Sequence, residues 1–306
     1  MRLLILCCTA LLCLAAPRAF GQSVNFVTTT ADNVAGSFRT VVNNSFPGDT
    51  VRFQVTGTIV LSTGSIAYSK DLVIDGPGMD SLTISANGNS QIFQITGGTT
   101  SLSNLSLAQG STNNIGGGIH MQGDSLSLHH VRVESCSAVF QAGGIFATCP
   151  LVIEGCEFNN NQCTNTGGAA SAAAISCGWH THISNSTFTN NQAAGTNNSG
   201  GAASYGGAIY MNPANLTIDS CTFTGNSISS TAPGSLAQGH GGAVYHQGWG
   251  HLVCTNSTFS NNQATGNGGN LSSNASQGGA IGVLATAASA RIENCTFTDN
   301  LSLIHI

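Results

Sequence analysis

Two tryptophans in this chain stand beside histidines: Trp179 with His180 and His182, and Trp249 with His251. An exposed indole can stack on the apolar face of a sugar ring while its polar neighbour bonds the hydroxyls, so this edge is a candidate ligand platform. A second set of rings, His120, Phe146, Tyr210 and Tyr245 with Ser176 among them, follows the aliphatic residue of a repeated element. Alternation points these residues outward. There they either stack on sugars or lie under neighbouring loops. Between the two tryptophans the equivalent turn carries Pro213-Ala214, which is expected to keep the indoles from being contiguous. His246 takes an inward position and reads as a core histidine.

Carboxylates are the other reactive stock. Glu134, Glu154, Ser184, Asp219, Thr255 and Glu293 align on one outward repeat position, which would set Glu134 and Glu154 about 5 Å apart on adjacent coils. Like charges that close can hold Ca²⁺ or raise one pKa, whereas the simpler reading is a solvated face, because the neighbours are neutral. No other cofactor is expected. Cleaving an acidic polysaccharide needs converging carboxylates and a basic group to meet the substrate's own carboxylate. The only lysine is Lys70, and the basic residues of the repeats, Arg132 and Arg291, are far apart. No catalytic residue is assigned on this basis.

Eight of the 11 cysteines lie beyond the first 21 residues. Cys136, Cys156, Cys221 and Cys295 share a column with Ser186 and Ser257 two residues before a repeated Phe, where they should point inward as small hydrophobes. Cys177 and Cys254 take inward positions held elsewhere by Met211 or Ile218. No Cys-x-x-Cys spacing supports zinc. Buried thiols with at most one bridge are expected, Cys136 to Cys156 being the nearest pair and Cys149 and Cys163 remaining over.

The elements that must position these residues are repeats. A Gly-Gly-Ala-Ile type element recurs around Ile119, Ile145, Ile175, Ile209, Val244 and Ile281, at spacings of 26, 30, 34, 35 and 37. It alternates with Phe-x-x-Asn at Phe158/Asn161, Phe188/Asn191, Phe223/Asn226, Phe259/Asn262 and Phe297/Asn300. Apolar residues follow period two over three short runs per unit, for example Ala208 to Met211, Leu216 to Ile218 and Cys221 to Phe223. Such runs are too short to form a sheet alone. Stacked at about 4.8 Å per coil they form an all-β, right-handed parallel β-helix, with three short strands per coil around one narrow core. The length varies between Phe and the next Gly-Gly, as in Asn190 to Tyr205 and Asn261 to Gln277, and these Asn-, Gly-, Ala- and Ser-rich stretches read as long loops at one corner. The repeated Asn is expected at a left-handed turn and to bond the Asn one coil away. In a middle coil Phe223→Ala is expected to cost about 3–5 kcal/mol and Asn226→Ala about 1.

Composition agrees. Charged residues are 6% of the 306, with 7 Lys+Arg against 12 Asp+Glu, which disfavours salt-bridged helices and leaves no footprint for a nucleic-acid backbone. Residues 1–21 read as a secretory signal peptide: a short positive start, the apolar run Leu3 to Ala16, and the small-x-small site Ala19-Phe20-Gly21. An N-terminal cap is expected over 22–55 and the repeats over 56–300. The last six residues, 301–306, break the pattern and match the translation of a transposon-derived sequencing adapter. They are expected to add no proper coil, the chain being a fragment of a longer protein.

The alternating Gly-Gly-Ala-Ile and Phe-x-x-Asn elements resemble the repeats of polymorphic outer membrane proteins, β-helical autotransporter passengers that act as surface adhesins. Upstream, Gly36-Ser37-Phe38-Arg39-Thr40-Val41-Val42, then Pro47 to Phe53 and Leu72 to Gly78, resemble the Gly-Ser-Leu-Arg opening of large bacterial secreted β-helix proteins. That likeness implies a short helix capping the first coil, with Phe38, Val41 and Val42 inward. The resemblances imply a secreted, cell-surface protein of structural or adhesive role, meeting surface glycans or proteins and joined to the outer membrane through a missing C-terminal part. The alternative is a polysaccharide lyase or glycoside hydrolase on a pectate-lyase-like β-helix.

Overall fold

The computed structural model describes residues 22–269, 277–284 and 289–305; the leader expected at 1–21 lies outside them. The chain climbs in coils whose strands pair in parallel with their counterparts one coil on, Phe158 opposite Phe188, then Phe223, then Phe259. Among the described residues three sheets run along the stack, of 17, eight and seven strands. One coil shows the plan: Ile209–Met211 lies in the eight-stranded sheet, Leu216–Asp219 and Thr222–Thr224 in the largest, and Ser227–Ala232 in the seven-stranded one.

The first three strands are those the alternation predicts. The fourth is a correction, because Gln192–Thr196, Ser227–Ala232 and Gln263–Gly268 lie where loops are expected. These strands alternate as strictly as the others, but apart from Ile228 their inward residues are small. Ala193, Ile228 and Ala264 are fully buried with Cys163, Ala170 and Ala173 in a second, minor core. Alanine and glycine at inward positions give almost no hydropathy contrast, so the period is invisible by composition. A further two-stranded sheet joins Ala202–Tyr205 to Ala237–His240.

Two side-chain columns run through the stack. Phe158, Phe188, Phe223, Phe259 and Phe297 stack face to face at 4.6–5.0 Å. Beside them Asn161 Nδ2 donates to Asn191 Oδ1 (3.0 Å), Asn191 to Asn226 (2.9 Å), Asn226 to Asn262 (3.0 Å) and Asn262 to Asn300 (2.8 Å). The expected ladder is present, but the left-handed residue is the one before it: Asn160, Asn190, Gly225, Asn261 and Asp299. That turn aims the next Asn side chain inward. The close approach of successive corners needs glycine, since a Cβ on Gly207 would lie 1.9 Å from the Gly242 carbonyl oxygen.

The Cys/Ser column is more than a greasy one. Ser186 Oγ accepts from the Cys156 N–H and donates to the Ser184 carbonyl, and Ser257 Oγ does the same with Cys221 and Thr255. Cys156 Sγ fills the same role, accepting from the Val131 N–H and donating to the Glu154 carbonyl. Cysteine and serine interchange there because either can turn that corner. Cys136 does not belong to the column: its N–H bonds Asn161 Oδ1, so it starts the Asn ladder instead.

At the N-terminus Phe38–Asn44 is a helix capped by Ser37, with Phe38 and Val42 buried and Val41 partly so. Arg39 ties it down, bonding Asp32 at 2.9 Å and the carbonyls of Gly64 and Ser65. Stacking already begins inside the cap, where Val24–Val27 pairs with Asp49–Phe53. At the other end the tail was expected to add no coil. Leu301–His305 pairs in register with the strand Gln263–Gly268, so it takes the fourth-strand place of the coil that holds Phe297 rather than adding a further one. Phe297 beside it is 46% exposed, as expected of a last coil.

Candidate functional site

The turn between the eight-stranded sheet and the first strand of the largest one is short in three successive coils, and each turn lifts one flat ring to the surface. Trp179 is 52% exposed and Trp249 73%. Between them sits Pro213, and all three line one groove of about 380 Å³ with His180, Asn215 and Gly250. The turn at Pro213-Ala214 lies between the two tryptophan turns, as expected, and its proline lines the groove together with both indoles. Ala214 is buried beneath it and its carbonyl accepts from His246 Nε2 at 2.8 Å.

A second recess of about 390 Å³ shares His180 and Asn215 and continues onto the open face of the largest sheet, where Val152, His182 and Thr217 line it. Register explains this. Val152, His182, Thr217 and Val253 are cross-strand partners on one outward row. Asn215 is positioned by the His251 backbone N–H, which donates to its Oδ1 at 2.9 Å, and the residue lines both recesses. His251 itself is turned away, its Nδ1 bonded to Ser289 Oγ at 2.8 Å. Pro213, Asn215, Thr217 and Val152 escape a reading by residue type. The outward row, once the strands are in register, is the signal that finds them.

The tyrosine stripe is not a second platform. Tyr245 is 1% exposed and packs with Tyr205, Tyr210 and His240 at ring separations of 5.2–6.2 Å. The extra strand Ala202–Tyr205 brings Tyr205 over it, and burial pushes the Tyr245 phenol up to about 12. Tyr210 is half-buried, its hydroxyl held by Gln247 and Asn212.

The acidic pair is also corrected. Glu154, Ser184, Asp219, Thr255 and Glu293 do share a row, but the residue opposite Glu154 in the preceding coil is His129, while Glu134 faces Asn159. Glu154 Oε2 lies 3.3 Å from His129 Nδ1. Asp219 accepts from Thr255, Asn256 and Ser220, which hold its carboxyl below the usual range. Among the described residues no cluster of three His, Cys, Asp or Glu is placed to hold a metal.

Three buried ring nitrogens lack partners among the described residues: His120 Nε2, His240 Nδ1 and His246 Nδ1. Burial lowers all three pKa values, so the folded state favours the neutral rings. A depressed histidine binds protons less readily folded than unfolded, so stability is full above the unfolded value near 6.5 and is lost as pH falls below it. The carboxylates held low, Asp32, Asp49, Asp219 and Glu293, act only below about 4. The urea midpoint is therefore expected to drop between pH 7 and 5. His246→Met, copying Met211 one coil earlier, should flatten that drop; an unchanged slope would show that His246 is not among its causes.

A family model described as a right-handed beta helix region matches residues 117–306, well over half the chain. The chain belongs to the right-handed β-helix family. Comparison with curated protein sequences finds no match. Among solved structures this β-helix is similar to the PL6 family alginate lyase AlyGC, at 11% identity and TM-score 0.37 over 78% of this chain and 39% of that one. It is likewise similar to pectate lyase Pel9A, at 11% identity and TM-score 0.30 over 87% of this chain and 78% of that one. The β-helix thus spans about two fifths of the alginate lyase's length.

Proposed function

We propose that this protein is a secreted β-helix scaffold, displayed at the cell surface, that holds neutral glycan chains in an adhesive role through the groove of Trp179, Pro213 and Trp249. The observation that carries this reading is two largely exposed indoles that line one groove with a proline from the turn between them. Large apolar rings left in water mark contact sites, and indole faces suit the C–H face of a pyranose. Donors and acceptors that would meet hydroxyls, from His180, His182, Asn215 and Thr217, line the same groove and its extension. Neither lining contains Lys, Arg, Asp or Glu, which favours a neutral sugar over a uronate. The reading of 1–21 as a leader and the likeness of the repeats to those of polymorphic outer membrane proteins support surface display.

Trp249→Ala is expected to weaken glycan binding about tenfold, near 1.4 kcal/mol, as loss of one stacking ring. A glycan array followed by titration calorimetry reads it, with Trp249→Phe partly restoring affinity. Equal affinity in wild type and Trp249→Ala would remove the groove from the reading. A reducing-end assay over pectins, alginates and neutral glycans should show no turnover. Turnover abolished by Asp219→Asn would replace the adhesive reading with a polysaccharide-cleaving one.

A further inference from the structure

We infer that Cys254 and Cys295 form a disulfide that staples the last coil to the one before it. Their sulfurs lie 3.7 Å apart, and no other two sulfurs among the described residues make such a contact. The pairing follows from the coil geometry. The corner residue of each coil sits over the inward residue of the previous strand, as shown by Cys221 Sγ against the Ile183 carbonyl and Cys295 Sγ against that of Cys254. In successive coils these two positions hold Leu128 and Cys156, Ile153 and Ser186, Ile183 and Cys221, and Ile218 and Ser257. Only at the next step does sulfur face sulfur. The pair expected from neighbouring repeats, Cys136 and Cys156, lies in different columns and does not meet.

Closure needs the sulfurs, 3.7 Å apart, to approach to about 2.0 Å. The two thiols give up two protons and two electrons to a disulfide oxidant, which leaves as two thiols. Cys295, which is partly exposed, attacks a sulfur of the oxidant and releases the first thiol; Cys254 then attacks Cys295 Sγ and releases the second. Cys254 is fully buried, and burial raises its thiol pKa, which leaves the partly exposed Cys295 as the thiol that meets the oxidant first. The bridge closes the long loop between the two residues at the end of the stack where Phe297, Ile292 and Leu301 are least covered.

The test equilibrates the purified chain in a glutathione buffer, alkylates it unfolded and maps peptic peptides without reduction. The buffer supplies the oxidant, so the result is independent of glycan binding and of where a cell sends the chain. One linked pair carrying Cys254 and Cys295 is expected, about 2 Da lighter than the free peptides together, with the other six cysteines beyond residue 21 alkylated. Oxidation should raise the melting temperature by about 5 °C. Cys295→Ser, which copies Ser257 in the preceding coil, should fold and lose both the linked pair and the shift. Alkylation of Cys254 and Cys295 alike, a bridge from Cys254 to another cysteine, or an equal shift in Cys295→Ser would each overturn the assignment.

Discussion

Asn226→Ala is expected to destabilise the β-helix by about 3–5 kcal/mol, several times the value that a turn asparagine suggests. The Asn226 Oδ1 accepts two bonds, from Asn191 Nδ2 at 2.9 Å and from the Asn191 backbone N–H at 3.1 Å. Its Nδ2 donates two, to the Phe188 carbonyl and to Asn262 Oδ1. The residue is fully buried, so water cannot replace it. Removing the amide leaves two buried donors without an acceptor, at about 1–3 kcal/mol each, and deprives two acceptors of a donor. Urea denaturation measures the loss. A value near 1 kcal/mol would mean that the stack relaxes to let water reach Asn191.

Phe223→Ala should cost about 3–5 kcal/mol for a different reason. The ring is fully buried between Phe188 at 4.6 Å and Phe259 at 4.7 Å, both nearly parallel to it. Truncation removes both faces of contact and leaves a cavity that paired strands on either side hold open. Phe223→Leu should recover about half. The two alanine variants are thus expected to be of similar severity, and a Phe223→Ala loss below about 1 kcal/mol would show that the column collapses to fill the gap.

The core was legible where side-chain size alternates. Phe, Ile and Leu at period two located three strands of each coil, and the Phe-x-x-Asn element located both columns. The fourth strand was not, because its inward residues, such as Ala193, Gly195 and Ala264, differ little from their neighbours in hydropathy. Register failed once, in the coil at 125–138, where matching Cys136 to Cys156 moved Glu134 onto the row of Glu154. The reliable marks there are backbone ones. Left-handed residues recur five apart in each coil, His130 and Ser135, Gly155 and Asn160, Asn185 and Asn190, Ser220 and Gly225, Asn256 and Asn261. Residue type marks them poorly, since His, Ser, Asn and Gly all occur. The groove was half legible: its indoles were evident, but their sharing of one groove with Pro213 depended on three turns being brought into line by strands far away in sequence.

The Asn ladder also has a direction. Each amide donates to the oxygen of the coil that follows, and its own oxygen is filled by the coil that came before, from Cys136 at the start to Asn300. The Phe stack is symmetric about each ring and indifferent to the order in which it is built. The amides are not: a coil that has docked still carries an open donor until its successor arrives, so every added turn completes the one behind it and presents the next unfinished edge. Built in chain order, each coil would meet the same kind of surface, an amide donor left open by the coil behind it, whatever the height of the stack.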